Sequence, residues 1–443
     1  MPNTIRLALQ LLLITAVSLS LSMPLMATNA HADETARVQA LEARIAELER
    51  LVEHLVAAQD APQTTPPAEP VSSDEMARLE ASKADRPAGS GTHFQFTGFV
   101  KHDMMMSRYS GGSVPANGLL RDFYVPGLVP VGGASSTTDF DSHIRESRLI
   151  FNVTRPEQNL QAYFEMDFSA GTGGDERLTN ATSPNIRQAF VRWNNVMAGQ
   201  AWTTFFNVGA LPENLDFIGP SEGTIFVRQA QVRYSQGPWQ FAIENPETTV
   251  TPFGGGGRIV TDTANLPDVV ARYNHSADWG QFTVAALGRQ LGITGANGTD
   301  REMAFALSLS GKVDMGRNDF RWMLSGGPGI GRYLGLNTTN DAVLNASGQL
   351  DAIDAYGGFV SYRHHWNDQW RSNFTFSAFR ADNDTDLTGF AVTKAAHSAH
   401  VNLIYQATPQ LRFGMEYIYG HREIEAGAKG NMNRLQFSTI LGF

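Results

Sequence analysis

The chain closes on an alternating stripe: Leu435, Phe437, Thr439, Leu441 and Phe443 share one parity, and Arg434, Gln436, Ser438 and Gly442 share the other. A period of two with one apolar and one polar face is the pattern of a β-strand. When the apolar face meets hydrocarbon and the polar face a wet lumen, such strands build a transmembrane barrel. An ordinary half-buried sheet carries the same alternation on a single strand, so the rest of the chain decides. The alternation recurs, most clearly over residues 149–154, 161–168, 188–193, 239–244, 281–286, 303–312, 320–324, 370–378, 400–406 and 411–419. Residues 93–443 divide into sixteen such segments, an even number as a single-chain bacterial barrel requires. Short links at 154–159, 194–195, 235–238, 275–279, 313–319, 364–369 and 407–410 alternate with long ones. The long ones fall at 107–142, 170–184, 205–223, 247–266, 291–301, 327–354, 381–394 and 421–432. Short turns at one end and long loops at the other are the asymmetry of a barrel whose long loops face outside the cell. No repeat of fixed period runs through the chain, which argues against a propeller or β-helix. The fold class is an all-β membrane protein, a 16-stranded antiparallel transmembrane β-barrel over residues 93–443.

Before residue 93 the pattern changes. Arg6, an apolar run over 7–23 and the ending Ala30-His31-Ala32 predict a secretory signal peptide over 1–32. From there Val38, Leu41, Ile45, Leu48, Val52 and Leu55 step by three and four, which predicts a short α-helical coiled coil over 33–58, on the periplasmic side. β-Branched residues at one heptad position with Leu at the other favour a parallel dimer, while a single amphipathic helix packed on a core shows the same stripe. Residues 59–92 are rich in Pro, Gln, Thr and Ser and read as a linker.

Composition narrows the function classes. Residues 1–32 carry one Arg and no acid, so their removal takes the formal charge from −10 to −11, and nucleic acid is excluded as a natural partner. With no Cys, disulfide staples and thiolate metal sites are ruled out. The 42% hydrophobic content is ordinary, as expected when lipid-facing and lumen-facing residues alternate.

Sixteen strands are expected to enclose a water-filled channel, not a packed interior, so the candidate functional residues are those on the polar parity. That parity holds Lys101, Arg148, Arg192, Arg233, Arg272, Arg289, Lys312, Arg321, Arg363, Arg371, Arg412 and Arg434, against Asp103, Glu146, Glu165, Asp167, Glu244, Asp268 and Glu416. A basic pore wall concentrates anions and offers planar forks to carboxylate or phosphate, which points to small anionic solutes. The competing reading is that these acids pair with the arginines and merely brace the wall. Loop 205–223 is the candidate constriction: Glu213 and Asp216, on a path stiffened by Pro212 and Pro220, would set carboxylates opposite the basic wall. An outward surface loop is the alternative.

Other motifs carry less. Gly254 to Gly257 with Arg258 lacks the ending of a phosphate loop, and Asp382, Asp384 and Asp386 alternate as calcium ligands do but without the distal Glu of a calcium loop. His397 and His400 lack zinc-site spacing, and the histidines at 364 and 365 sit at a short turn. No catalytic trio and no cofactor motif is visible, so the reading is a non-enzyme without cofactors. Trp193, Trp239, Trp279, Trp366 and Trp370 all fall near short-turn ends, where an aromatic girdle marks the periplasmic interface.

Several stretches carry a family resemblance: Thr97-Gly98-Phe99-Val100-Lys101-His102-Asp103, Ser147-Arg148-Leu149-Ile150-Phe151-Asn152, Phe164-Glu165-Met166-Asp167-Phe168, Gly199-Gln200-Ala201-Trp202-Thr203-Thr204-Phe205 and Val227-Arg228-Gln229. In order and spacing the chain resembles the DcaP-like trimeric outer-membrane porins and, more distantly, the phosphate-selective porins. The heptads before a Pro-rich linker are similar to that family's periplasmic coiled coil. The resemblance implies a homotrimer in the bacterial outer membrane, in contact with lipid and lipopolysaccharide, that passes small anions such as dicarboxylates by diffusion. A second function class remains open: a structural barrel tethered through residues 33–58 to the cell wall, with peptidoglycan as partner.

Overall fold

The computed structural model describes residues 91–169, 182–295 and 298–443. The expected signal peptide, the coiled coil over 33–58 and the linker up to residue 90 lie outside the described residues.

Alternation along the chain becomes one closed wall. Its strands are β1 (His93–Tyr109), β2 in two pieces (Thr137–His143 and Arg148–Arg155), β3 (Leu160–Asp167) and β4 (Asn185–Trp193). Next come β5 (Val196–Trp202), β6 (Arg228–Gln236), β7 (Trp239–Glu244) and β8 (Asp268–Ala277). They are followed by β9 (Gly280–Gly295), β10 (Gly298–Met315), β11 (Asn318–Pro328) and β12 (Asp354–His365). The wall ends with β13 (Trp370–Asp382), β14 (Thr393–Gln406), β15 (Leu411–Ile424) and β16 (Lys429–Gly442). Each strand pairs antiparallel with the next. The sheet has 17 segments, but both pieces of β2 pair end to end with the same side of β1, so the wall has sixteen positions. β1 also pairs with β16, from Phe99 opposite Gly442 to Tyr109 opposite Met432, and this closes the barrel. Closure leaves the wall without a free edge, as a hydrocarbon environment requires.

The terminal stripe divides as its parity demands. Leu435, Phe437, Leu441 and Phe443 are exposed on the outside, whereas Arg434, Gln436 and Ser438 are buried inside. All five girdle tryptophans are exposed at the short-turn end, joined by Phe94, Phe96 and Phe413. Among the described residues no helix is long and apolar enough to cross a membrane; the crossing is made by strands. Asn159 and Asn194 adopt left-handed backbone in the short turns, as does Gly237, because two- to four-residue reversals need positive φ.

Two loops expected to be long are tight hairpins instead. Where a loop was expected at 291–301, β9 and β10 run on to Gly295 and Gly298; in place of one at 421–432, β15 and β16 leave only residues 425–428 between them. Above the membrane both faces of a strand meet polar surroundings, so the alternation fades although the ladder continues. The extension of β9 and β10 is supported from inside. Leu291, Ile293 and Ala304 pack against Val250, Ala342 and Leu350 of a small four-stranded sheet, formed by Thr248–Thr251, Ile259–Thr261, Ala342–Leu344 and Leu350–Ala352 of two long loops.

Candidate functional site

The connection from β5 to β6 turns into the barrel. Thr203 and Thr204 start it, held by Glu244 of β7, which accepts from Thr203 Oγ1 and Thr204 N at 2.7 Å each. The base is closed by Thr203 N donating to Val227 O at 3.0 Å. From there the chain meets one wall strand after another. Arg233 of β6 donates to Trp202 O at 2.6 Å, Arg272 of β8 to Phe206 O at 2.7 Å, and Arg321 of β11 to Leu211 O. Arg371 of β13 grips Glu213 with Nε and Nη2 at 2.7 and 2.5 Å, and Asn402 of β14 donates to Glu213 O at 2.8 Å. Glu416 of β15 accepts from Leu215 N at 2.7 Å, while Gln436 of β16 and Lys101 of β1 donate to Leu215 O at 2.9 and 2.6 Å. Residues 203–216 therefore follow the inner circumference as a belt. Buried carbonyls need donors, and a guanidinium supplies several from one side chain, which explains why wall arginines fasten this loop.

The return path crosses a second layer. Asp216 accepts from Tyr124 N at 2.8 Å and from Gly219 N at 3.1 Å, and lies 3.8 Å from Arg434. Ser221 Oγ donates to Tyr124 O at 2.9 Å, and Phe226 N donates to Tyr333 O at 3.0 Å. Gly223 lies against the wall so closely that a Cβ there would stand 2.3 Å from Gly358 O. Around this path Phe205, Phe206, Leu211, Ile225, Tyr333 and Leu334 pack against Val270, Leu287, Met323, Phe359 and Phe379 of the wall. This corrects the expectation of an unpacked lumen: where the inward loops lie, the interior is a hydrophobic core, because the wall there carries apolar side chains that the loops cover.

Of the candidate pore residues, Lys101, Arg148, Arg233, Arg272, Arg321, Arg371, Glu165, Asp167 and Glu244 are buried, and Arg192 and Arg412 are half-buried. Lys101 is 3.2 Å from Asp103 and also pairs with Glu146; Arg148 is 3.3 Å from Glu165; Arg321 is 2.9 Å from Asp319. Arg363 pairs with Asp319 and lies 3.7 Å from Glu213, the same distance as Arg412. Arg233 and Arg272 hold the belt, and Arg192 is half-buried with its guanidinium 6.0 Å from the Phe190 ring. Much of the basic face thus engages carboxylates or belt carbonyls. Burial opposes ionisation of Glu213, but the Arg371 bond and the Arg412 and Arg363 charges outweigh it and hold the carboxyl down at about 2. Glu222 is fully buried with no ion pair among the described residues. Burial pushes its carboxyl up to about 7, against the smaller pull of Ser398 and His400.

Two guanidiniums escaped the parity reading. A bulge opposite Glu165 and Met166 turns both Arg187 and Gln188 inward, where strict alternation admits only Gln188. Arg187 donates to Glu165 at 2.7 Å and to Asp167, and Glu165 also accepts from Tyr163 and Gln188 at 2.9 and 2.7 Å. Arg228 stands where β6 begins, opposite Trp202 in register, with its guanidinium 5.1 Å from that ring; Arg187 lies 5.7 Å from the same ring and 5.0 Å from Phe217. Arg148, Arg187 and Arg228 are within electrostatic reach of one another and of Glu165 and Asp167. Among the described residues no three His, Asp or Glu side chains gather as a metal site. Asp384 caps the short helix Thr385–Thr388 by accepting from Asp386 N at 3.0 Å.

The fold has solved counterparts. The outer membrane channel DcaP of Acinetobacter baumannii superposes with a TM-score of 0.65 at 18% identity, over 80% of this chain and 98% of that one. An anion-selective porin from Comamonas acidovorans gives 0.48 at 10% identity, over 80% of this chain and 100% of that one. OmpF of Salmonella typhi gives 0.48 at 9% identity, over 80% and 99%. No curated protein sequence matches the chain significantly. Residues 21–443 match the family model described as DcaP outer membrane protein. With sixteen strands closed into a barrel and a loop belted inside it, the chain belongs to the DcaP outer membrane protein family and is an outer-membrane channel.

Proposed function

We propose that this channel passes small hydrophilic solutes by diffusion and prefers organic anions, dicarboxylates among them. The observation that carries the reading is the cluster of Arg148, Arg187 and Arg228 around Glu165 and Asp167, where among the described residues guanidiniums outnumber carboxylates. Excess positive charge beside a low-dielectric wall raises the local anion concentration and lowers the barrier to anion entry. The belt strengthens this bias, because Glu213 is neutralised by Arg371 with Arg363 and Arg412 close by, leaving its charge little reach into the lumen. The test is the reversal potential of the folded full-length protein in a planar bilayer under a potassium chloride gradient, repeated with potassium succinate. An anion-selective value in both salts is expected. A cation-selective or zero value in both overturns the anion preference.

A further inference from the structure

The outside of the wall is not uniformly convex. Across β13 to β16, near the short-turn end, the surface dips into a groove of about 860 Å³. Trp366 and Trp370 of the girdle stand at its turn end, and Val401, Leu403, Met415 and Leu435 line the rest. Two features of the chain produce the dip. On β13 the outward parity carries Phe374 and Phe376, but the position before them is Ser372, a small side chain among rings. The ladder between β13 and β14 also opens there: Trp370 faces Tyr405 and Arg371 faces Ile404, and pairing resumes only at Phe374 and Val401. In the gap Asn373 N donates to the Asn402 side chain at 2.8 Å, so this buried amide is satisfied without a strand carbonyl. Trp366 Nε1 donates to Ser372 Oγ at 2.9 Å, which fixes the indole at the mouth of the groove.

The height and chemistry of the groove decide what fills it. Val401, Tyr417 and Leu435 stand in one row across β14, β15 and β16, four positions along β14 from Tyr405, the partner of Trp370. Four residues of strand span about 13 Å and one leaflet of hydrocarbon about 15 Å, so the groove lies within the leaflet on the periplasmic side. Its apolar lining is exposed and continuous with the outward stripe of β16, which meets hydrocarbon. Inside a membrane no water drives apolar surfaces together, and an acyl chain gains from a site only what closer packing supplies. On a convex wall a chain is touched along one side; in a groove it is touched from the floor and both flanks, and dispersion contacts increase accordingly. We propose that the groove over β13 to β16 is a seat for an acyl chain of a periplasmic-leaflet phospholipid, with the headgroup at the level of Trp366 and Trp370. The seat is independent of the channel's ion preference.

The test uses the full chain in phosphatidylcholine vesicles doped with a phosphatidylcholine that carries a diazirine on its acyl chain. After photolysis, labelled positions are mapped by mass spectrometry. Val232 and Ile243 serve as controls, because they are exposed on the outside, paired with each other, and four residues from the ends of β6 and β7 at their own short turn. Labelling at Leu403 and Met415 is expected to exceed that at the controls by about fivefold, the scale of a handful of extra dispersion contacts. Leu403→Trp fills the groove from an outward position, and labelling at Met415 is expected to fall about fivefold there with the controls unchanged. Equal labelling at groove and controls in the unsubstituted protein overturns the seat. So does an unlabelled groove beside labelled controls, the result expected if a second copy covers this face. Unchanged Met415 labelling in folded Leu403→Trp overturns the placement of the chain.

Discussion

Glu213 is the anchor of the inward belt, and Glu213→Gln tests whether the belt is held electrostatically. The carboxylate is 5% exposed, takes two bonds from Arg371, and has Arg363 and Arg412 at 3.7 Å. Its carboxyl is held at about 2 against an ordinary 4.5. That gap corresponds to roughly 3 kcal/mol at neutral pH, near the lower end of the range for removing one partner of a buried pair. Because the folded value is depressed, this stability is fully present above about pH 4.5 and is lost as the pH falls through about 2. Urea unfolding of the lipid-embedded protein is therefore expected to show Glu213→Gln less stable by about 2–3 kcal/mol at pH 7, with the deficit shrinking only below about pH 4.5. Gln keeps the shape but not the charge, so Arg371 and Arg412 lose a counter-charge while Arg363 keeps Asp319. The reversal potential of the variant should move toward stronger anion selectivity. A variant as stable as the parent at pH 7, with the same selectivity, would refute the electrostatic anchor.

Glu222 gives the opposite pH sign. Its carboxyl is raised to about 7, so the parent loses stability as the pH rises from about 4.5 through 7. Glu222→Gln should match the parent at pH 4 and exceed it by up to about 3 kcal/mol at pH 8 in the same unfolding assay; parallel pH curves would show that Glu222 is not held protonated. Gly223→Ala forces a Cβ to 2.3 Å from Gly358 O, and a melting temperature lowered by the equivalent of about 1–3 kcal/mol is expected; an unchanged melt would mean the loop moves aside freely. Tyr333→Phe removes a hydroxyl that donates to Asp268 and accepts from Gln229, both at 2.8 Å. A loss of about 1–3 kcal/mol in urea unfolding is expected, and a neutral result would show that these partners re-pair without it.

The period of two determined most of the wall. Hydrocarbon outside and a polar lumen inside impose opposite demands on successive residues, so the inward set from Lys101 to Arg434, the outward terminal stripe and the tryptophan girdle could all be read along the chain. The same rule failed where its physical cause stopped. Above the membrane the contrast between faces disappears, so the alternation does not report that β9 and β10 reach Gly295 and Gly298 or that β15 and β16 reach Ile424 and Lys429. At the bulge beside Glu165 the parity slips, and strict alternation does not admit Arg187 to the inner face. What the lumen residues do was decided only in three dimensions. Arg371 meets Glu213 across 158 positions of chain, Gln436 meets Asp103 across 333, and Arg434 meets Leu120 O across 314. No local pattern reports such separations. A basic residue on the polar parity looks alike whether it faces water, an acid or a belt carbonyl, and closure of the barrel selects the partner by bringing distant strands around one inward loop.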